Sequence, residues 1–284
     1  MCRGGKTGVK QMSTIRPTAV SDMFYPGDPD VLDQEISTLI RQTKHEAVRS
    51  TIRGIIAPHA GYQYSGFTAA SAYALLRGGT YETVVVVSPS HREFFDGVTV
   101  FPGDAYATPL GVVPLDTVLR DHVTQKAPFI IASDAGHQEE HAIEVQLPFL
   151  QHVLRSFRLL PVVVGNQDRK YCLGLGEVLA EALSGKNYLL VASSDLSHYY
   201  SWDVANALDQ HAIDDVAAFD YERMMTELET GATEACGGGP IVAVLSALRG
   251  LGVKNIEILH HCNSGDITGD RKRVVGYFSA VAYE

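Results

Sequence analysis

No C-x-x-C pair occurs in this chain of 284 residues, whose four cysteines (Cys2, Cys172, Cys236 and Cys262) stand singly and far apart. That spacing excludes a Cys₄ zinc site and a disulfide framework, and free thiols suit a reducing compartment such as the cytoplasm. No apolar run approaches the ~20 residues that cross a bilayer, so no membrane segment is expected. Basic charge is also short. Lys plus Arg number 23 against 33 Asp plus Glu, a net charge of −10, which lacks the electrostatic footprint that nucleic acid requires. Neither a Walker loop nor G-x-S-x-G is present, and Gly174-Leu175-Gly176 has Leu179 where a dinucleotide fingerprint needs its third glycine. The first sixteen residues carry Arg3, Lys6, Lys10 and Arg16 without an apolar core, so they are not a secretory signal. Residues 1–15 read as a disordered leader, and 16–284 as one domain.

What is present is an alternation of short β-rich runs and helical patterns. Gly54–Ala57, Thr83–Val87, Val98–Phe101, Leu159–Val164, Tyr188–Ala192, Ile256–Leu259 and Val274–Ala282 read as strands, and their continuous apolar character fits burial on both faces. Asp28-Pro29 caps a helix ahead of Leu32, Ile36, Leu39 and Ile40. Helical stripes follow at Leu175 to Leu183, at Leu208 to Phe219 and at Ile241 to Leu248. The pattern predicts an α/β fold with a central, largely parallel or mixed sheet and helices on both faces.

Three of the apolar runs end in a small-residue turn carrying histidine: Pro58-His59-Ala60-Gly61-Tyr62, Ser88-Pro89-Ser90-His91 and Ser193-Ser194-Asp195-Leu196-Ser197-His198. Ligands of open α/β sheets bind beyond the carboxyl ends of the strands. A lone histidine after a strand is ordinarily a hydrogen-bonded loop residue, but three in equivalent places can meet in one cleft, where imidazole serves as metal ligand or proton carrier. Cys236, ahead of Gly237-Gly238-Gly239-Pro240 and a helix, reads as a thiol of lowered pKa at a helix N-terminus; the plainer reading is a small buried residue beside a tight turn. His137-Gln138-Glu139-Glu140-His141 matches the H-x-x-E-H of inverted zinc peptidases, but Asp134 and Gly136 put the helix start inside the motif, which favours a chance match with His137 an exposed polar residue. Glu140, His141 and Glu144 then read as groups supporting the cleft.

These motifs together, with Glu139-Glu140-His141-Ala142-Ile143-Glu144, Cys236-Gly237, Asn263-Ser264-Gly265-Asp266 and Val275-Gly276-Tyr277, resemble the Memo family, also called AmmeMemoRadiSam system protein B. The resemblance covers the chain from about Arg16 and implies a fold similar to the LigB-type class III extradiol dioxygenases. It implies metal ligands at His59, His91 and Cys236, the thiol standing where the dioxygenases have a carboxylate. It further implies an acid–base role for His198 beside Asp195, and a pocket near Tyr62, Glu140, His141 and Gly237. Fe(II) is the metal implied, and a mixed His/Cys set also accommodates Cu or Zn. Two functions follow as expectations: a metal-dependent, dioxygenase-like oxidoreductase acting on a small molecule, or a scaffold whose vestigial cleft binds peptide or anion. The family name links either to radical-SAM and AMMECR-type proteins.

Overall fold

The run Val84-Val85-Val86-Val87 has no polar side to turn to water, and in the computed structural model all four valines are fully buried. The structure describes residues 14–44 and 50–284. The chain opens with β1 (Ile15–Arg16), α1 (Pro29–Gln42), β2 (Ile52–Ala57), α2 (Tyr62–Tyr73) and β3 (Thr83–Pro89). Short elements follow: β4 (Val98–Val100), β5 (Ala105–Thr108), β6 (Gly111–Pro114), α3 (Thr117–Lys126), β7 (Ile130–Ala132) and α4 (Leu147–Val153). Next come β8 (Arg158–Val164), α5 (Arg169–Leu183), β9 (Tyr188–Ser193), β10 (His198–Tyr200), α6 (Trp202–Ala217) and α7 (Tyr221–Thr230). The chain closes with α8 (Gly238–Gly250), β11 (Asn255–Asn263), α9 (Ser264–Thr268) and β12 (Val274–Tyr283).

Among the described residues the main sheet has the order β10-β12-β2-β9-β3-β8-β4-β7, with β11 also pairing to β12. Its centre, β2-β9-β3-β8, is parallel. β12 and β4 flank that centre antiparallel, so the sheet is mixed. Period-two alternation splits β3 between two cores. Val85 and Val87 pack with Leu190 of β9 and with Leu179 and Val244 of α5 and α8. Val84 and Val86 join Val191 with Ile36, Tyr73 and Phe149 of α1, α2 and α4. Helices thus cover both faces, as the sequence pattern predicts.

Local chemistry sets the ends. Asp28 accepts the N–H groups of Asp30 and Val31 at 3.0 Å and caps α1. α2 has no apolar stripe to read: Ser65, Gly66, Thr68, Ala69 and Ala72 are all buried, because it lies between α1, α4 and β12. A separate small sheet pairs β1 with β5 and β5 with β6. The leader expected for residues 1–15 falls, up to residue 13, outside the described residues. Thr14 and Ile15 belong to the fold, Thr14 N bonding Asp104 Oδ2 at 2.7 Å and Ile15 pairing with Ala105. Cys172, Cys236 and Cys262 are free thiols. Among the described residues no helix is long and apolar enough to cross a membrane.

Candidate functional site

β2, β9 and β3 are neighbours in the parallel centre, so their carboxyl ends lie side by side. Ala57 pairs with Ser193, and the chain leaves both strands into the loops that carry His59 and Asp195. The next strand delivers His91. Donor atoms of His59, His91 and Cys236 lie within 4.8 Å of one another, although 177 positions separate the first from the last.

The hydrogen bonds fix which imidazole nitrogens are bare. Ser193 Oγ donates to Ala142 O at 2.7 Å, so it can only accept from His59 Nδ1, 2.9 Å away. His59 therefore carries its proton on Nδ1, and its Nε2 lone pair points at Cys236 Sγ, 3.3 Å distant. Two ligands of one tetrahedral ion, at about 2.0 and 2.3 Å, stand about 3.5 Å apart, so that spacing suits shared coordination. His91 Nδ1 lies 2.9 Å from Glu140 Oε1, and the carboxylate leaves Nε2 as the ring's lone-pair nitrogen. Burial alone would raise the Glu140 pKa; the bond from His91 and the charges of His91 and His141 outweigh it and hold the group down at about 2.

A second donor set, His91, Glu140 and His141, also falls within 4.8 Å. Glu140 Oε1, however, already accepts from His91 Nδ1 and from the N–H groups of His141 and Ala142, each at 2.9 Å. Its lone pairs are committed, and the donor chemistry fits a metal better at His59, His91 and Cys236.

The thiol differs from the sequence reading. Burial pushes Cys236 well above the usual thiol range, and the charge of Asp195 adds to the shift. The helix start does not reverse this: the Gly237 N–H favours the thiolate but burial outweighs it, and the N–H groups are shared with other acceptors, Gly237 N with Ser194 Oγ at 2.9 Å, Gly238 N with Ala235 O at 3.1 Å and Gly239 N with Gln167 Oε1 at 2.7 Å. The same bonds occupy the helix-start donors that an anion would need. Gly237 is required where it is, since a Cβ there would stand 2.4 Å from Ser193 O. A bound cation would deprotonate a coordinating thiol outright.

In front of this cluster lies a cleft of about 450 Å³, whose walls include Phe24, Tyr64, Tyr199 and Tyr277, with His91, His141, Asp195 and His198 on its polar side. His198 Nδ1 is held by Leu196 O at 2.8 Å, which leaves Nε2 as the nitrogen able to accept a proton. Asp195 Oδ1 accepts the His59 N–H at 2.8 Å, and burial raises its pKa. His141 stacks on His91 at 4.8 Å and meets His59 edge-on at 5.3 Å; burial, then the charge of His59, lowers it to about 4. Burial likewise lowers His59 to about 3, helped by His91. Tyr62 faces the core behind the cleft, its hydroxyl on Val145 O at 2.8 Å; Tyr64, two residues on, is the one that lines the opening. Tyr199 adopts φ +67°, a left-handed conformation costly for a side chain of its size, directly after His198.

His137 departs from its expectation of exposure. It is 1% exposed, bonded through Nδ1 to Tyr106 OH at 2.7 Å, and lies in a non-helical turn, so the peptidase geometry does not form. The largest omission of the sequence reading is Arg16, grouped there with the leader's basic residues. It is fully buried, donating Nε to His137 O at 2.9 Å, Nη2 to Glu140 O and Nη1 to Glu144. Glu144 also accepts Ala19 N at 2.7 Å, Val20 N at 3.1 Å and the Tyr25 hydroxyl. Segment 16–25 is thereby fastened to the loop that carries Glu140 and His141. Ser193 and Gln146 were passed over as well, the former although it stands inside the Ser193-Ser194-Asp195 motif.

Fold and site together define a mixed α/β protein with an imidazole–thiol cluster at its parallel strand ends. The chain belongs to the Memo-like protein family, whose model matches residues 16–281. It is 36% identical over 275 residues to a MEMO1 family protein of Methanothermobacter thermautotrophicus, covering 93% of this chain and 98% of that one. A MEMO1 family protein of Methanosarcina mazei is 36% identical over 270 residues, covering 94% and 98%. Among solved structures, an uncharacterized protein of Escherichia coli K12 superposes with a TM-score of 0.53 at 15% identity, over 82% of this chain and all of that one. That likeness concerns the fold alone.

Proposed function

We propose that this Memo-family protein is a metal-dependent oxidoreductase acting on a small organic molecule, with His59, His91 and Cys236 as the metal ligands. The observation that carries the reading is the pair of imidazoles held in the Nδ1–H tautomer by Ser193 and Glu140, their Nε2 atoms left bare beside a thiol. Bound there, Fe(II) supplies redox chemistry, and Cu or Zn fits the same mixed nitrogen and sulfur set. The chain's own residues do the rest. Tyr64, Tyr199 and Phe24 give the substrate an apolar seat and exclude water from it. His198 takes or returns a proton at Nε2, its ring fixed by Leu196 O. Asp195 braces the His59 backbone.

Protein purified anaerobically without a histidine tag should carry close to one equivalent of metal, with a thiolate charge-transfer band when loaded with cobalt(II). His59→Ala and Cys236→Ser should each abolish retention, and the latter the band. Metal-free protein unaffected by either substitution would remove the basis of the reading, and peptide binding indifferent to metal removal would point to the scaffold instead.

A further inference from the structure

Helix α6 carries a carboxylate where its apolar stripe runs. Ala205, Ala212, Ile213 and Val216 face inward, and Asp209 lies among them at 5% exposure. A polar group at such a position is unfavourable unless something there uses it. Ser197 N donates to Asp209 Oδ1 at 2.9 Å. The side chain of Ser197 is buried against the same carboxyl group and favours its charged form against the burial that raises its pKa. The backbone behind is bare to make room, for a Cβ on Gly276 would stand 1.9 Å from Asp209 Oδ2.

Asp209 lines a chamber of about 260 Å³, separate from the imidazole–thiol cluster, whose walls include Trp202, Tyr277, Ile213 and Asp266. Among the described residues no lysine or arginine lines it, and His261 is the basic side chain on its wall; Arg271 stacks over the Trp202 ring at 4.8 Å but stands outside the lining. Two carboxylates repel an anion, while aromatic faces and a desolvated carboxylate attract a cation. The volume equals about nine waters at ~30 Å³ each, room for a short stem and a charged head.

We infer that this chamber binds a small organic cation, a primary ammonium on a short apolar stem. Asp209 receives the charge, Trp202 and Tyr277 supply aromatic walls, and Ile213 contacts the stem. Tyr277 also lines the front cleft, so an occupant rests on a wall common to both spaces.

The test titrates the full chain at pH 7.5 with n-butylammonium chloride and, as the neutral control, n-butanol, by saturation-transfer NMR and calorimetry. The ammonium should bind saturably with a Kd in the millimolar range, and the alcohol should not. Asp209→Asn should weaken binding about tenfold or more. Because that change can unsettle α6, Gln210→Trp on the exposed rim is the second variant. It should cover the mouth and lose the ligand with its thermal midpoint unchanged. Equal binding of alcohol and ammonium, retention by both variants, or no saturable ammonium binding in the millimolar range would each overturn the assignment.

Discussion

Arg16 offers the sharpest test of how the site is held. Its guanidinium and the Glu144 carboxylate are both completely shielded from water. Removing one partner of such a pair strands the other charge, which costs about 3–5 kcal/mol, whereas replacing both by neutral groups of similar shape costs far less. Arg16→Met also deprives His137 O and Glu140 O of their donors. For a chain of 284 residues the unfolding entropy is about 0.6 kcal/mol/K, so that loss lowers Tm by roughly 5–8 °C. Arg16→Met and Glu144→Gln should each destabilise on this scale in urea or thermal denaturation. The double variant should recover about 1–3 kcal/mol relative to their sum, since the two sites share one network. Metal affinity should fall in Arg16→Met, because the loop presenting Glu140 to His91 loses its anchor. An Arg16→Met protein within about 1 kcal/mol of wild type would refute the reasoning, as would strict additivity of the pair.

Further outcomes can be checked independently. Burial raises the Cys236 thiol while keeping His59 neutral down to about pH 3, so metal uptake at pH 7 should release about one proton per ion; calorimetry in buffers of different ionisation enthalpy measures it, and zero release would exclude the thiol as ligand. Glu140, held at about 2 in the fold against ~4.3 unfolded, contributes about 3 kcal/mol above the unfolded value, lost as pH falls through the folded one. The stability gap between wild type and Glu140→Gln should therefore close between about pH 4 and pH 2, and a gap independent of pH would contradict the assignment. Gly237→Ala should displace the start of α8 from Ser193 O, destabilising by about 1–3 kcal/mol and weakening metal retention; an unchanged denaturation midpoint would show that the strand end yields freely.

The central strands and the amphipathic helices were legible because their patterns are local. Asp28-Pro29 fixes the start of α1, and the valine run of β3 admits only a doubly covered strand. Helix α2 was not legible, since a helix buried all round by small residues has no period to detect. The convergence of His59, His91 and Asp195 followed from strand ends alone, as did their neighbourhood to His198. The Cys236 environment did not: whether a helix start faces a thiol or bonds Ser194 and Gln167 depends on contacts distant in sequence. Arg16 was misread for a related reason. A basic residue near a chain end looks solvated unless the carboxylate that buries it, 128 positions away, is already known.

Strand β9 sits between β2 and β3. His59 and His91 thus belong to strands that do not touch, and the spacer between them is made a hundred residues later, with Cys236 later still. A nascent polypeptide emerging from the ribosome holds both imidazoles long before it can fix their separation. The three donors can therefore meet only once translation has passed Cys236, within the last third of the chain, and a truncated product ending before residue 236 is left with two imidazoles and no thiol.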